Sequence, residues 1–140
     1  MKEKTMLKNK VRIWTGEEML DPITLETLYK HIWDEPCISF SSNHHHKIRK
    51  NFANCKWLYF TKLLDINNIE IFEEDIVSAF DPITLKTYFG IIKYSETHFW
   101  YALYDSNDKF KESLSRAEGI KIIGNTFQNK DLINLAIAEH

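Results

Sequence analysis

The residues of this chain with the widest chemical range lie between Cys37 and Cys55. Cys37, His44, His45, His46 and Cys55 are thiol and imidazole side chains, the ligand types that zinc prefers. Their spacing is poor for a metal centre. There is no Cys-x-x-Cys pair and no His-x3-His pair, and three consecutive histidines cannot all face one ion. The plainer reading is a solvated loop flanked by two structural thiols. A second candidate is the acidic run Glu70, Glu73, Glu74 and Asp75. Its oxygen ligands would suit magnesium or calcium, but acids at a strand corner ordinarily face water. The chain has no Gly-x-Ser-x-Gly, His-Glu-x-x-His or phosphate-cradling glycine loop. No catalytic residue, metal or cofactor is therefore assigned, and an enzyme is not expected.

A third group is basic. Lys47, Arg49 and Lys50 cluster in one polar stretch, with Lys56 and the N-terminal lysines nearby. Small barrels that bind single strands combine such a face with exposed aromatic rings, here Trp57, Tyr59, Trp100 or Tyr104. The formal net charge of −2 gives no overall basicity to support this. The same aromatics serve more economically as core.

These side chains depend on strands to place them. Trp57 to Thr61 is aromatic and β-branched apart from Leu58, a strand composition. Asn67-Asn68 suits a reversing turn, because Asn tolerates positive φ. Ile69, Ile71 and Phe72 resume the apolar pattern, and Glu73-Glu74-Asp75 forms a corner before Ile76-Val77. His98 to Tyr104, HFWYALY, is the most apolar strand. One face carries His98, Trp100, Ala102 and Tyr104, and the other carries Phe99, Tyr101 and Leu103. Both are apolar, so both require cover. One face fills the core. The other must meet the N-terminal segment, a second subunit or a ligand, with the chain's own segment the most economical cover.

The flanking segments read more simply. Val11 to Trp14 is a short strand, Thr15 to Glu18 a turn, and Met19-Leu20 a return. Leu28 to Trp33 is a further strand candidate, and Ser41 to Asn54 is a polar loop. Lys109 to Glu118, with Phe110 and Leu114 four apart, fits a turn or two of helix or a loop. Asn129 or Asp131 caps a short final helix. The pentapeptide Asp21-Pro22-Ile23-Thr24-Leu25 recurs as Asp81-Pro82-Ile83-Thr84-Leu85. It is either a duplicated binding loop or, as its unalignable flanks favour, two hairpin loops with the same Asp-Pro chemistry.

The run Thr61 to Val77, TKLLDINNIEIFEEDIV, resembles the signature of the YopX family of phage and prophage proteins, T-G-x-x-D-x-N-G-x-x-I-[YF]-E-G-D-I-V. Thr61, Asp65, Asn67, Ile71, Phe72, Glu73, Asp75, Ile76 and Val77 fit. The three glycines are replaced by Lys62, Asn68 and Glu74, which predicts a changed or strained backbone there. Val11-Arg12-Ile13-Trp14 with Met19 resembles the family's N-terminal pattern. Ile123-Gly124-Asn125-Thr126-Phe127-Gln128-Asn129 with Leu132 resembles its closing one, with Lys130 in place of proline. The resemblance implies a small, mainly β protein of phage or prophage origin and brings no catalytic residues.

At 140 residues the chain is one compact domain, or one domain with a short extra segment. No apolar run approaches a membrane span, and the start, MKEKTMLKNK, lacks the apolar core of a secretory signal. A bacterial cytoplasmic location with reduced thiols is expected. The predicted fold is mainly β: a strongly bent, barrel-like antiparallel sheet over residues 57–140 with a short C-terminal helix, and N-terminal strands and a basic loop over residues 1–56. The predicted function is a non-enzymatic interaction module that self-associates. Its surface would draw on His98, Trp100, Tyr104, Lys47, Arg49 and Lys50. A barrel binding single-stranded nucleic acid is the alternative.

Overall fold

A computed structural model of the protein describes residues 8–28 and 54–136. The chain divides into two compact units, Met1–Lys62 and Leu63–His140.

In the first unit, β1 (Lys10–Trp14) pairs antiparallel with β2 (Ile23–Thr24) and with β3 (Lys56–Leu64). β1 alternates half-buried and buried positions, so Val11 and Ile13 point one way, as period-two burial requires. They form a small core with Leu20 and Leu28, against which Ile23, Leu25, Cys55 and Trp57 pack. The buried Thr15 turns the chain after β1: its Oγ1 accepts the N–H groups of Glu17 and Glu18. Trp14 and Met19 bridge antiparallel across that turn, as the sequence predicts.

In the second unit β3 ends at the Asp65 turn and returns as β4 (Glu70–Phe72). A five-stranded antiparallel sheet follows, in the order β8-β7-β6-β5-β9. Its strands are β5 (Asp75–Asp81), β6 (Lys86–Ser95), β7 (Trp100–Tyr104), β8 (Phe110–Ser113) and β9 (Glu118–Asn125). A 3-10 helix, Lys130–Ala136, closes the described chain. The register places Val77, Ala79, Ile92 and Leu103 on one face, where they form the main core with Ile71, Leu114 and Ile120. The other face carries Ile76 and Ile91, covered by Leu132 and Ile133 of the 3-10 helix. Gly90 lies where β6 approaches Leu103: a Cβ there would sit 2.7 Å from the Leu103 Cβ.

Mainly β architecture and a short C-terminal helix agree with the sequence, but two antiparallel sheets stand where one strongly bent sheet is expected. The barrel does not close. The five-stranded sheet ends at β8 and β9 rather than joining them. Arg116 and Ala117 N–H groups bond back to Ser113 O, making a tight turn after β8, and β9 then pairs with β5. The segment expected to be helix or loop, Lys109 to Glu118, contains β8: Phe110 opposes Tyr104 instead of meeting Leu114 across a helical turn. Among the strand candidates, Leu28 is the last described residue of a helical run, 25–28, not a strand residue, and the remainder of Leu28 to Trp33 lies outside the described residues.

The turns share one device. Asp65 Oδ1 accepts the N–H groups of Asn67 and Ile69, and Asp105 Oδ1 accepts those of Asn107 and Lys109. Asn68 and Asp108, at matching positions, both have positive φ, at 62° and 63°. An acidic side chain that satisfies the backbone two residues on fixes such a bend. The two DPITL segments differ. In the first, Ile23-Thr24 forms β2 and Thr24 Oγ1 accepts the Thr27 N–H to cap the helical run. In the second, Asp81 Oδ1 accepts the Ile83 and Thr84 N–H groups in a hairpin turn. One is a strand and cap, the other a turn, so they are not two copies of one loop.

Candidate interaction surface

Among the described residues, the sheet face that carries Ile76 and Ile91 is only partly covered. Cross-strand partners share a face, so Ile91 stands with Tyr104, Lys93 with Ala102, and Ser95 with Trp100. Phe110 joins them opposite Tyr104. The 3-10 helix covers the Ile76–Ile91 end. At the other end Trp100 is 47% exposed and Phe110 43%.

The rings there touch one another. His98 stacks on Trp100 with centroids 5.3 Å apart and packs against Phe110 at 4.9 Å. Phe110 meets Tyr104 edge-on at 6.0 Å. The His98 ring is held at its base: Ser95 Oγ lies 2.9 Å from His98 Nδ1 and accepts the His98 N–H. Ser95 is buried, so the hairpin turn that aims His98 is anchored from inside. Phe99, in the same turn, is 78% exposed and has φ 61°. An aromatic residue in the left-handed region is strained, and the Phe99 N–H donates to Ser95 O at 2.7 Å to hold that turn.

An ion pair borders the rings. Lys93 Nζ bonds Asp108 Oδ1 at 2.6 Å beside the rings. Burial works against the Lys93 charge, but the Asp108 bond, with Glu74 nearby, outweighs it and raises the ammonium above its ordinary value.

The residues predicted from the sequence land as follows. His98, Trp100 and Tyr104 come together. Only Trp100 and Tyr104 lie on β7, because His98 and Phe99 belong to the preceding turn. The expectation that both faces of His98–Tyr104 are closed to water fails at Trp100 and Phe99. Ala102 and Leu103 alone in this stretch are fully buried, and a bulge between Leu103 and Tyr104 breaks the alternation. Lys47, Arg49, Lys50, Cys37, His44, His45 and His46 lie outside the described residues. Cys55 is half-buried, and burial pushes its thiol up, away from the thiolate that metal binding needs. In the acidic corner, Asp75 is buried and its Oδ2 accepts the Phe72 N–H at 2.8 Å, while Glu74 Oε1 accepts the Thr126 hydroxyl at 2.7 Å. These carboxylates hold the fold. Among the described residues no group of three or more His, Cys, Asp or Glu is placed to hold a metal ion. Of the aromatics weighed for nucleic acid, Trp57 packs on the first unit's core, and Tyr59 is 45% exposed.

Sequence reasoning missed Phe99, Phe110 and the Lys93–Asp108 pair. The signal for Phe110 was available. Asp105-Ser106-Asn107-Asp108 repeats the pattern of Asp65-Ile66-Asn67-Asn68, and a hairpin after it makes Phe110 a strand residue.

A groove of about 340 Å³ lies at the open seam of the sheet, lined by Phe80, Tyr88, Lys111, Glu112, Arg116 and Glu118 among others. Its charges nearly balance. Lys111 Nζ is engaged by Phe89 O at 2.7 Å and lies over the Tyr88 ring. No helix of the described residues is long and apolar enough to cross a membrane.

Comparison with known proteins finds a family and a similar solved structure. A model of the YopX protein family matches residues 8–134. No curated protein matches the sequence. The crystal structure of protein EF1440 from Enterococcus faecalis is similar at 20% identity and a TM-score of 0.48, over 89% of this chain and 97% of that one.

Proposed function

The chain belongs to the YopX family, and on that premise we propose that it is a non-enzymatic interaction module of phage or prophage origin, acting in the bacterial cytoplasm. On this reading it associates with copies of itself through His98, Phe99, Trp100, Tyr104 and Phe110. The observation that carries the proposal is the exposed ring cluster at one end of a sheet face whose other end is covered. Aromatic anchors of this kind dominate protein contacts. The Lys93–Asp108 pair at its border carries one charge of each sign, so it adds no net charge to repel an identical surface. Binding of single-stranded nucleic acid is the second reading. It draws on the same exposed rings, but the cation beside them, Lys93, is paired with Asp108.

Molar mass by light scattering tests the two readings together with a salt-dependent oligonucleotide titration. Self-association predicts a wild-type mass above that of one chain and a return to one chain in Phe99→Ser/Trp100→Ser. A wild-type monomer at the highest soluble concentration ends the first reading. Salt-sensitive oligonucleotide binding that disappears in the same variant establishes the second.

A further inference from the structure

β8 ends the five-stranded sheet, so its outer side is where another strand would add. Ala102 opposes Ser113, and Leu114 N–H donates to Tyr101 O at 3.0 Å. In an antiparallel ladder that bond makes Ala102–Ser113 a non-hydrogen-bonded pair. The Ser113 N–H and C=O therefore both point away from β7. Neither is left open. Ser113 N–H donates to Glu112 Oε1 at 2.7 Å, and Ser113 O accepts from Arg116 N at 3.1 Å and Ala117 N at 3.0 Å.

We infer that the Glu112 carboxylate guards the outer edge of β8 against addition of a strand from a second copy of this chain. An ionised carboxylate only accepts hydrogen bonds. It satisfies the Ser113 donor and also presents negative charge to the carbonyl row of any incoming strand. Charged side chains and bulges are common means of closing a sheet edge, and β8 has the bulge as well, opposite Leu103/Tyr104. The opposite edge is closed in a different way. Ile66 N–H donates to Ile120 O at 2.8 Å, and Ile122 N–H donates to Asp65 Oδ2 at 3.1 Å, so the Asp65 turn occupies the outer side of β9. With both edges occupied, copies of this chain cannot extend the sheet strand by strand. The inference does not depend on association through the aromatic face.

The test is made in the Phe99→Ser/Trp100→Ser background, which removes that face. Adding Glu112→Ala opens the β8 edge alone, since the Asp65 turn still occupies β9, and is expected to give a mass that rises with concentration toward that of two chains, with faster hydrogen exchange at the Ser113 amide at low concentration. Glu112→Gln keeps an accepting oxygen but loses the charge, and is expected to leave the Ser113 amide protected while the mass rises less than in Glu112→Ala. A folded Glu112→Ala variant with unchanged mass and a still-protected Ser113 amide overturns the inference. Should that variant not fold, the wild type decides: a Ser113 amide exchanging as freely as those of the exposed turns overturns it equally.

Discussion

Asp65 and Ile122 are 57 residues apart, and the Ile122 N–H donates to Asp65 Oδ2 at 3.1 Å. The other oxygen of the same carboxylate accepts from Asn67 and Ile69. One buried side chain thus both forms the turn after β3 and occupies the outer side of β9. Three bonds to a charged acceptor make Asp65→Ala costly. The expected loss is about 3 kcal/mol, since each abandoned donor keeps its desolvation penalty. Urea unfolding measures it.

The same carboxylate gives the protein an acid limb. Burial raises the Asp65 pKa, but the N–H groups of Ile69, Ile122 and Asn67, with Lys121, outweigh it and hold the carboxyl below its ordinary value. The sign follows from that direction. A folded value below the unfolded one, about 3.9, means stability fully present above it and lost as pH falls through the folded value. Denaturation midpoints measured from pH 6 downward should fall less steeply for Asp65→Asn than for the wild type. Parallel curves would remove Asp65 from the acid response.

Gly90 faces the core side of β6, where a Cβ would stand 2.7 Å from the Leu103 Cβ and 3.0 Å from its Cγ. β6 is paired on both sides, so its backbone has little room to shift. Gly90→Ala should therefore cost about 1–3 kcal/mol, the range of overpacked cores. The nearest atom is a Cβ, which alanine also has. Most of the cost should persist in a Leu103→Ala background, and a full rescue there would contradict the contact.

How much of this was legible in the sequence depends on the range of the interaction. Turn chemistry is local, and the Asp65 and Asn67-Asn68 bend stands where the sequence puts it. Strand composition is also local, so β1, β3 and β7 are close to expectation. Closure is not local. Whether β9 meets β8 or β5 is set by the tight turn at Ser113–Ala117 and by Asp65 reaching across to Ile122. Neither fact has a periodic signature. Phe110 and Leu114, four apart, matched a helical pair although the turn at Asp105 had already committed the chain to a hairpin. The identical DPITL segments make the same point: neighbours, not the five residues, decided strand or turn.

Tyr88 lines the seam groove with its phenol proton held to an unusually high pH, about 12. Burial is the main cause, followed by the charges of Glu112, Asp81 and Glu118. The folded value exceeds the unfolded one, about 10, so the folded protein binds more proton between the two. Stability is then complete below the unfolded value and declines as pH rises toward the folded one. An ultraviolet titration of the phenols should lose its latest component in Tyr88→Phe, and the alkaline decline in stability should soften. Titration of all six tyrosines at one ordinary value would rule this out.

Lys62, Asn68 and Glu74 stand where the YopX signature has glycine, and all three have positive φ, at 69°, 62° and 68°. The chain has kept the glycine backbone without the glycines. For Lys62 and Glu74 the left-handed region costs about 1–2 kcal/mol per residue, while Asn pays less. The two costly positions differ in compensation. Lys62 is exposed in β3, so Lys62→Gly should relieve strain and raise stability by roughly 1 kcal/mol, reduced somewhat by the added freedom of the unfolded chain. Glu74 Oε1 accepts the Thr126 hydroxyl at 2.7 Å, so Glu74→Gly relieves similar strain but loses a charge-assisted bond. Its net effect should lie near zero. Thr126→Val should separate the two contributions: in that background Glu74→Gly becomes stabilising by an amount like that of Lys62→Gly. Equal gains from both glycines in the wild-type background would mean that the Glu74–Thr126 bond contributes nothing, and a loss at Lys62 would mean that its backbone is not strained.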